Sequence, residues 1–309
     1  MKRTMLLTAA SAVAALALTA CGGGSDPTKP ADNPGGAGAT SAAGSSAITV
    51  GSADFSESQL LGEIYAGALK AKGVNVQTRP NIGSREVYIK ALQDKSIDVV
   101  PEYTGSLLNY LKGTAPKKDA DSIYTAVKSA LPADLVALDK SAAEDKNSIV
   151  VTKETAAKWS LKSIADLVPH QGEVVVAAPP EFGTRAQGLA GLKTEYNLVP
   201  KDFRPLKGKA IVDALVGGQA QAGNVFSTDP SIASNGFVTL EDPKLLFGSD
   251  NVVPLVRKDK VNDTLTAALN AVSAKLDTST LADLVKQVDV DKKDASAVAK
   301  DFLTKNALG

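Results

Sequence analysis

The chain has 309 residues, 34 basic and 34 acidic, and 44% of them are hydrophobic. A neutral balance lacks the basic face that nucleic-acid binding demands, so no nucleic-acid partner is expected. A single cysteine excludes an internal disulfide, and a single histidine excludes a metal centre built from His and Cys.

Lys2 and Arg3 form a positive n-region, and Met5 to Leu18 an apolar stretch too short and wrongly flanked for a membrane span. Small residues lead to Cys21. This pattern predicts a secretory signal over residues 1–20. Leu18-Thr19-Ala20-Cys21 resembles a bacterial lipobox, which implies a diacylglycerol thioether on Cys21 and anchoring of the protein outside the cytoplasm by acyl burial. Without Lys2 and Arg3 the count is 32 basic against 34 acidic residues. Residues 21–47 hold Gly, Ser, Ala and Pro with no aromatic or β-branched apolar side chain, so they read as a flexible tether. About 260 residues remain, enough for one large domain or two modest ones.

Ile48 to Ser52 is a short β-branched strand pattern. Leu60, Leu61, Ile64, Tyr65, Ala68 and Leu69 then share one helical face, with Ser56 and Gln59 spaced as a capping box and Gly73 as the stop. Val74 to Thr78 alternates as a second strand, and residues 81–86 lead into a second helix. Ile97 to Val100 is a third strand, followed by Pro101-Glu102-Tyr103-Thr104-Gly105-Ser106 and another helix. Strands alternating with helices at this spacing predict β-α-β units and a mostly parallel sheet. The junctions 52–58, 81–86 and 101–106 then fall on the rim at the carboxyl ends of the strands, where such sheets hold ligands. Asp54, Ser58, Arg85, Tyr103 and Ser106 share that rim.

A second α/β unit follows. Ile149 to Val151, Val174 to Ala178, Phe203 to Leu206 and Ala222 to Phe226 are strand candidates, and Ala210 to Val216 is helical up to Gly217-Gly218. Pro179 to Arg185 and Ser227-Thr228-Asp229 are polar rim loops. Val252 to Val256 crosses back to the first unit, and two or three helices close the chain.

No catalytic constellation stands out. His170 follows a proline in a loop, no G-x-S-x-G elbow is present, and no phosphate-cradling G-x-x-x-x-G-K-[ST] occurs. The expectation is a binding protein, not an enzyme, with no cofactor.

G-S-A-D-F-S-E-S-Q-L-L-G-E-I-Y-A, N-I-G-S-R-E, D-V-V-P-E-Y-T-G-S-L-L, E-F-G-T-R-A-Q-G, F-S-T-D-P-S-I and L-E-D-P-K occur in this order. Together they resemble the substrate-binding proteins of osmoprotectant ABC importers, which take up glycine betaine, choline, carnitine or proline betaine. The resemblance covers residues 48 to 309. It implies an α/β, two-lobed periplasmic-binding-protein fold of type II, with two crossovers and a ligand cleft between the lobes. Lobe I would be 48–146 with 255–309, and lobe II 147–254. It also implies a monomer that delivers its ligand to transmembrane permease subunits driven by a cytoplasmic ATPase.

In this family an aromatic box holds a quaternary ammonium by cation–π attraction. By that resemblance Tyr103 falls on a cage tyrosine, and Phe226 on another that has lost its hydroxyl. Asn147 and Asp250 fall where further cage tyrosines are found. Ala53 stands where some betaine binders carry a lysine, and Ser58 where choline binders carry glutamine. Ser106 and Arg185 keep the family's chemistry, and Thr228 joins Phe226 and Arg185 on the second lobe. Some assignments stay open. Arg85 reads as a ligand for an anion or as a bridge to Glu86 or Glu102. Asp250 reads as a cation partner or a solvated loop residue. Trp159 reads as packing. The cleft itself reads as a quaternary-amine site, as a scaffold repurposed for a flat aromatic or polar ligand, or as a tethered sensor.

Overall fold

The computed structural model describes residues 47–114 and 119–309. The signal segment, Cys21 and the tether up to residue 46 lie outside the described residues. Two five-stranded sheets organise the chain. The first has the order β2-β1-β3-β10-β4, from β1 (Ile48–Gly51), β2 (Val76–Arg79), β3 (Val99–Tyr103), β4 (Leu135–Ala137) and β10 (Val252–Arg257). The second has the order β7-β6-β8-β5-β9, from β5 (Asn147–Val151), β6 (Val175–Ala178), β7 (Asp202–Pro205), β8 (Ala222–Phe226) and β9 (Val238–Thr239).

Neither sheet is mostly parallel, which corrects the reading above. In the first, β1 pairs in parallel with β2 and β3, but β10 is antiparallel to both β3 and β4. In the second, β6 is parallel to β7 and β8, while β5 is antiparallel to β8 and β9. The parallel halves come from β-α-β units. The antiparallel halves arise because β5 and β10 are crossover strands that enter each sheet from the other lobe, with no helix to reverse the chain first. β10 lies wholly in the first sheet from Val252, so the boundary expected between 254 and 255 falls inside a strand.

β3 runs through Pro101 to Tyr103 instead of stopping at Val100. Pro101 faces Pro254 across the β3–β10 ladder, and the Pro254 carbonyl accepts the Leu138 N–H on the opposite side, so the pair is a non-hydrogen-bonded one that needs no N–H between the two strands. The short strands β4 and β9 carry too few residues to show a period.

Helices cover both faces of each sheet. α1 (Ser56–Ala71) and the helices Asp263–Ser273, Thr278–Asp289 and Ala295–Lys305 bury Leu61, Ile64, Leu269 and Phe302 on one face of the first sheet. α2 (Arg85–Gln93), α3 (Thr104–Lys112) and the helix Ala120–Ala130 bury Ile89, Leu107 and Ile123 on the other. In the second lobe, Leu167, Phe182 and Leu192 pack on one face and Ile211, Ala214 and Leu215 on the other. Trp159 joins the first of these layers and stacks on His170, with ring centroids 4.6 Å apart, as the packing reading holds. No capping box forms at the start of α1: Phe55 is the N-cap, and the Ser56 hydroxyl donates to Asp289 instead, at 2.8 Å.

The two crossovers run side by side between the sheets. Ser141 and Asp145 donate backbone N–H bonds to Val252 and Asp250, and Val252 donates one to Ala143. Gly105 lets the first turn of α3 approach this ribbon, because a Cβ there would lie 2.3 Å from the Ser249 carbonyl oxygen. Gly105→Ala should therefore destabilise the protein by about 1–3 kcal/mol, the usual cost of overpacking, in a chemical-denaturation measurement. An unchanged midpoint would mean that this approach is not tight.

Candidate functional site

The rims of the two sheets enclose one cleft of about 920 Å³, at the upper end of the roughly 300–1,000 Å³ common for small-molecule sites. The β1–α1, β2–α2 and β3–α3 junctions line it from one side. The loops after β6, β7 and β8 line it from the other. This is the strand-end placement the β-α-β pattern predicted.

Nine of the ten expected residues line the cleft: Asp54, Arg85, Tyr103, Ser106, Asn147, Arg185, Phe226, Thr228 and Asp250. Ser58 does not. It is fully buried, and its hydroxyl accepts the Ala53 N–H at 2.9 Å, so it serves the turn into α1. Asp250 is no solvated loop residue, being 1% exposed. It accepts the Ser106 N–H at 3.0 Å and the Ser106 hydroxyl at 2.6 Å, so the crossover supplies the cap that α3 lacks in its own sequence. Asn147 opens β5 directly opposite Phe226 in the β5–β8 ladder.

Arg85 is a bridge. Its Nε and Nη2 donate to the two oxygens of Glu102 at 2.6 and 3.1 Å. Glu102 also accepts the Tyr88 hydroxyl at 2.8 Å and the Tyr103 N–H at 2.6 Å. A buried bidentate pair with every oxygen engaged fixes the base of the site. Arg185 and Asp54 make ion pairs across the cleft, with Glu86 and Lys207 respectively. Both are partly exposed, so each contributes little stability.

Three residues that no local pattern singles out also line the cleft. Phe55, just before α1, stacks on Phe226 with centroids 5.4 Å apart and approaches Tyr103 at 6.1 Å. The three rings come from both lobes. Glu57, in the first turn of α1, accepts the Tyr103 hydroxyl at 2.7 Å and the Thr228 hydroxyl at 2.6 Å. Asp145, on the outgoing crossover, accepts the Thr228 N–H at 3.0 Å, so Thr228 bridges it to Glu57. Locally, Phe55 reads as core, Glu57 as a helix-dipole partner and Asp145 as part of a polar run. Only the fold brings them together.

Acids outnumber bases on the walls: eight against five. All five bases are engaged: Arg85 with Glu102, Arg185 with Glu86, Lys207 with Asp54, Lys209 with Asp213 and Lys292 with the Asp289 carbonyl. No ion pair involves Glu57, Asp145 or Asp250 among the described residues. Burial pushes the carboxyls of both Glu57 and Asp145 up. The Tyr103 hydroxyl is held well above its ordinary range by burial and then by Glu57. Burial pushes Asp250 up to about 7, against the two Ser106 bonds.

A carboxyl raised in the folded state stabilises the fold below its unfolded value, and this is lost as pH rises through the folded value. For Asp250 the window runs from the unfolded carboxyl value, about 4, up to about pH 7. Asp250→Asn should reduce the loss of unfolding free energy over its last unit, pH 6 to 7, by about 1 kcal/mol, one pKa unit being worth about 1.4. Equal pH slopes for the two proteins would remove Asp250 as a titrating group.

Residues 46–305 match the family described as the substrate binding domain of ABC-type glycine betaine transport systems. The chain is 30% identical over 275 residues to the glycine betaine-binding protein YehZ of Escherichia coli, covering 84% of this chain and 90% of that one. It is 28% identical over 276 residues to a glycine-betaine-binding protein of Pseudomonas aeruginosa, covering 84% and 88%. A crystal structure described as a glycine betaine/carnitine/choline ABC transporter superposes with a TM-score of 0.67 at 24% identity, over 84% of this chain and 99% of that one. The two-sheet α/β architecture is that of the type II periplasmic binding proteins, and the chain belongs to the substrate-binding domain family of ABC-type glycine betaine transport systems.

Proposed function

We propose that the cleft binds a quaternary ammonium osmoprotectant, and that it favours a cation without a carboxylate over a zwitterion. One observation carries this reading: three rings from both lobes meet on a wall whose acids outnumber its bases, with every base engaged. Stacked aromatic faces attract a cation most strongly where water is excluded. Glu57 lies beside them and accepts the Tyr103 hydroxyl at 2.7 Å. A ligand carboxylate would need a cationic partner, and each candidate would first have to leave an acid or a carbonyl.

Closure over the ligand follows from where the rings sit. A ligand that touches Tyr103 and Phe55 on one lobe and Phe226 on the other favours the closed state by its contacts to both. The closed protein then docks on permease subunits powered by a cytoplasmic ATPase. The lipobox supports a lipid on Cys21, which would hold the receptor at the membrane beside its permease, as a monomer.

Tyr103→Ala tests the site. It should weaken choline binding, read by isothermal titration, tenfold or more, the loss expected of a cation–π wall, while the far-ultraviolet circular dichroism stays unchanged. Undiminished affinity would take Tyr103 out of the site.

A further inference from the structure

Glu57 and Asp145 belong to neither the ring wall nor the ion pairs across the cleft. Both are almost completely buried, at 4% and 1% exposure. Two ionised carboxylates cannot hydrogen-bond to each other, since each offers only acceptors. Thr228 nonetheless bonds to both, and no base pairs with either among the described residues, so a proton is the group that can relieve the pair. Its location matters. Glu57 belongs to the first lobe, and Thr228, which donates its hydroxyl to Glu57 and its N–H to Asp145, belongs to the second. Asp145 lies on the crossover itself, where its N–H meets the Asp250 carbonyl of the returning crossover.

We propose that Glu57 and Asp145 share one proton at the joint between the lobes, so that closure of the cleft retains a proton and Glu57 acts as the positioning residue that ties the Tyr103 hydroxyl to the closed arrangement. The proposal rests on the reading of this cleft as the ligand site.

The groups around the pair favour this. Asp289 faces Glu57 from the helix Thr278–Asp289 and adds like charge. Tyr103 and Thr228 donate hydroxyls, and Ser227 donates to Asp145 at 3.3 Å. Tyr88 lies beyond Tyr103 and is committed to Glu102. No basic side chain pairs with either acid among the described residues. With the proton present, one negative charge is solvated by hydroxyls and a carboxyl. Once it is lost, two buried carboxylates face each other without a counter-ion. That arrangement is relieved by opening the joint and admitting water. Both pKa values are raised in the closed form. The proton-linked contribution to closure is therefore complete at low pH and is lost as pH rises through those raised values.

Asp145→Asn separates the outcomes. An asparagine amide donates permanently to Glu57 and its oxygen still accepts the Thr228 N–H, so this variant copies the protonated state. Choline affinity of the full chain would be measured from pH 6 to pH 9 for wild type and variant. Asp250 is intact in both, so its titration cancels in the ratio of dissociation constants. The expected result is wild-type affinity that falls relative to the variant by tenfold or more across this range. Glu57→Gln should flatten the profile in the same way if Asp145→Asn folds poorly. A constant ratio would overturn the proposal. So would a rise in relative wild-type affinity with pH, since the second charge would then be attracting the cation instead of opening the joint. Small-angle X-ray scattering without ligand keeps the two readings apart. The wild-type radius of gyration should increase between pH 6 and 9, and that of Asp145→Asn should not. If choline fails to bind at any pH while scattering shows this difference, the ligand reading fails and the shared proton stands. If scattering shows no difference, the shared proton fails.

Discussion

The cleft is arranged around a buried carboxyl, Glu57, that has no cation partner among the described residues. Glu57 accepts one hydroxyl from each lobe, and the cost of removing it from water is met by donors alone. Tyr103 and Thr228 reach it only when the ends of β3 and β8 face each other, so the bonding of one side chain defines the closed geometry. Phe55 lies two residues before Glu57, and the same turn that buries the acid pushes this ring between Tyr103 and Phe226. The aromatic wall and the polar joint are thus two sides of one strand-to-helix junction.

A second constraint operates below the rings. Glu102 joins Arg85, Tyr88 and the Tyr103 backbone, while Asp250 caps α3 through Ser106. Both acids fix elements in place, yet both lie at the cleft. The ordered stretch Pro101-Glu102-Tyr103-Thr104-Gly105-Ser106 therefore carries four jobs: an acid for the base of the site, a ring for its wall, a glycine that admits the crossover, and a serine that accepts its cap. This explains why a strand ends in aromatic, acidic and hydroxyl groups together.

Much of the architecture was legible in the chain order of apolar runs and junctions. The β-α-β spacing placed the rim, and the rim placed Asp54, Arg85, Tyr103 and Ser106 with Arg185 and Thr228 on the facing loops, while the family resemblance supplied Asn147, Phe226 and Asp250. What local pattern could not show was pairing across long sequence distances. Thr228 is 171 residues from Glu57, and Ser106 is 144 from Asp250. Glu57 at a helix start and Asp145 among Glu144 and Lys146 look like ordinary solvated charges until the crossovers bring them together. Ser58 misled for the opposite reason, since its position suggested the cleft while its hydroxyl is taken by the Ala53 N–H. The antiparallel halves of the sheets were likewise invisible, because strand direction at a crossover depends on which lobe the chain comes from.

Titration of the full chain with choline and with glycine betaine, at one pH and one salt concentration, tests the central claim most directly. The two probes share the trimethylammonium group and differ in whether a carboxylate accompanies it. An acid-rich wall with its bases engaged predicts tighter binding of choline, by tenfold or more. Equal affinities, or tighter binding of glycine betaine, would contradict the account and would mean that Arg85, Arg185 or Lys207 leaves its acid to hold the ligand.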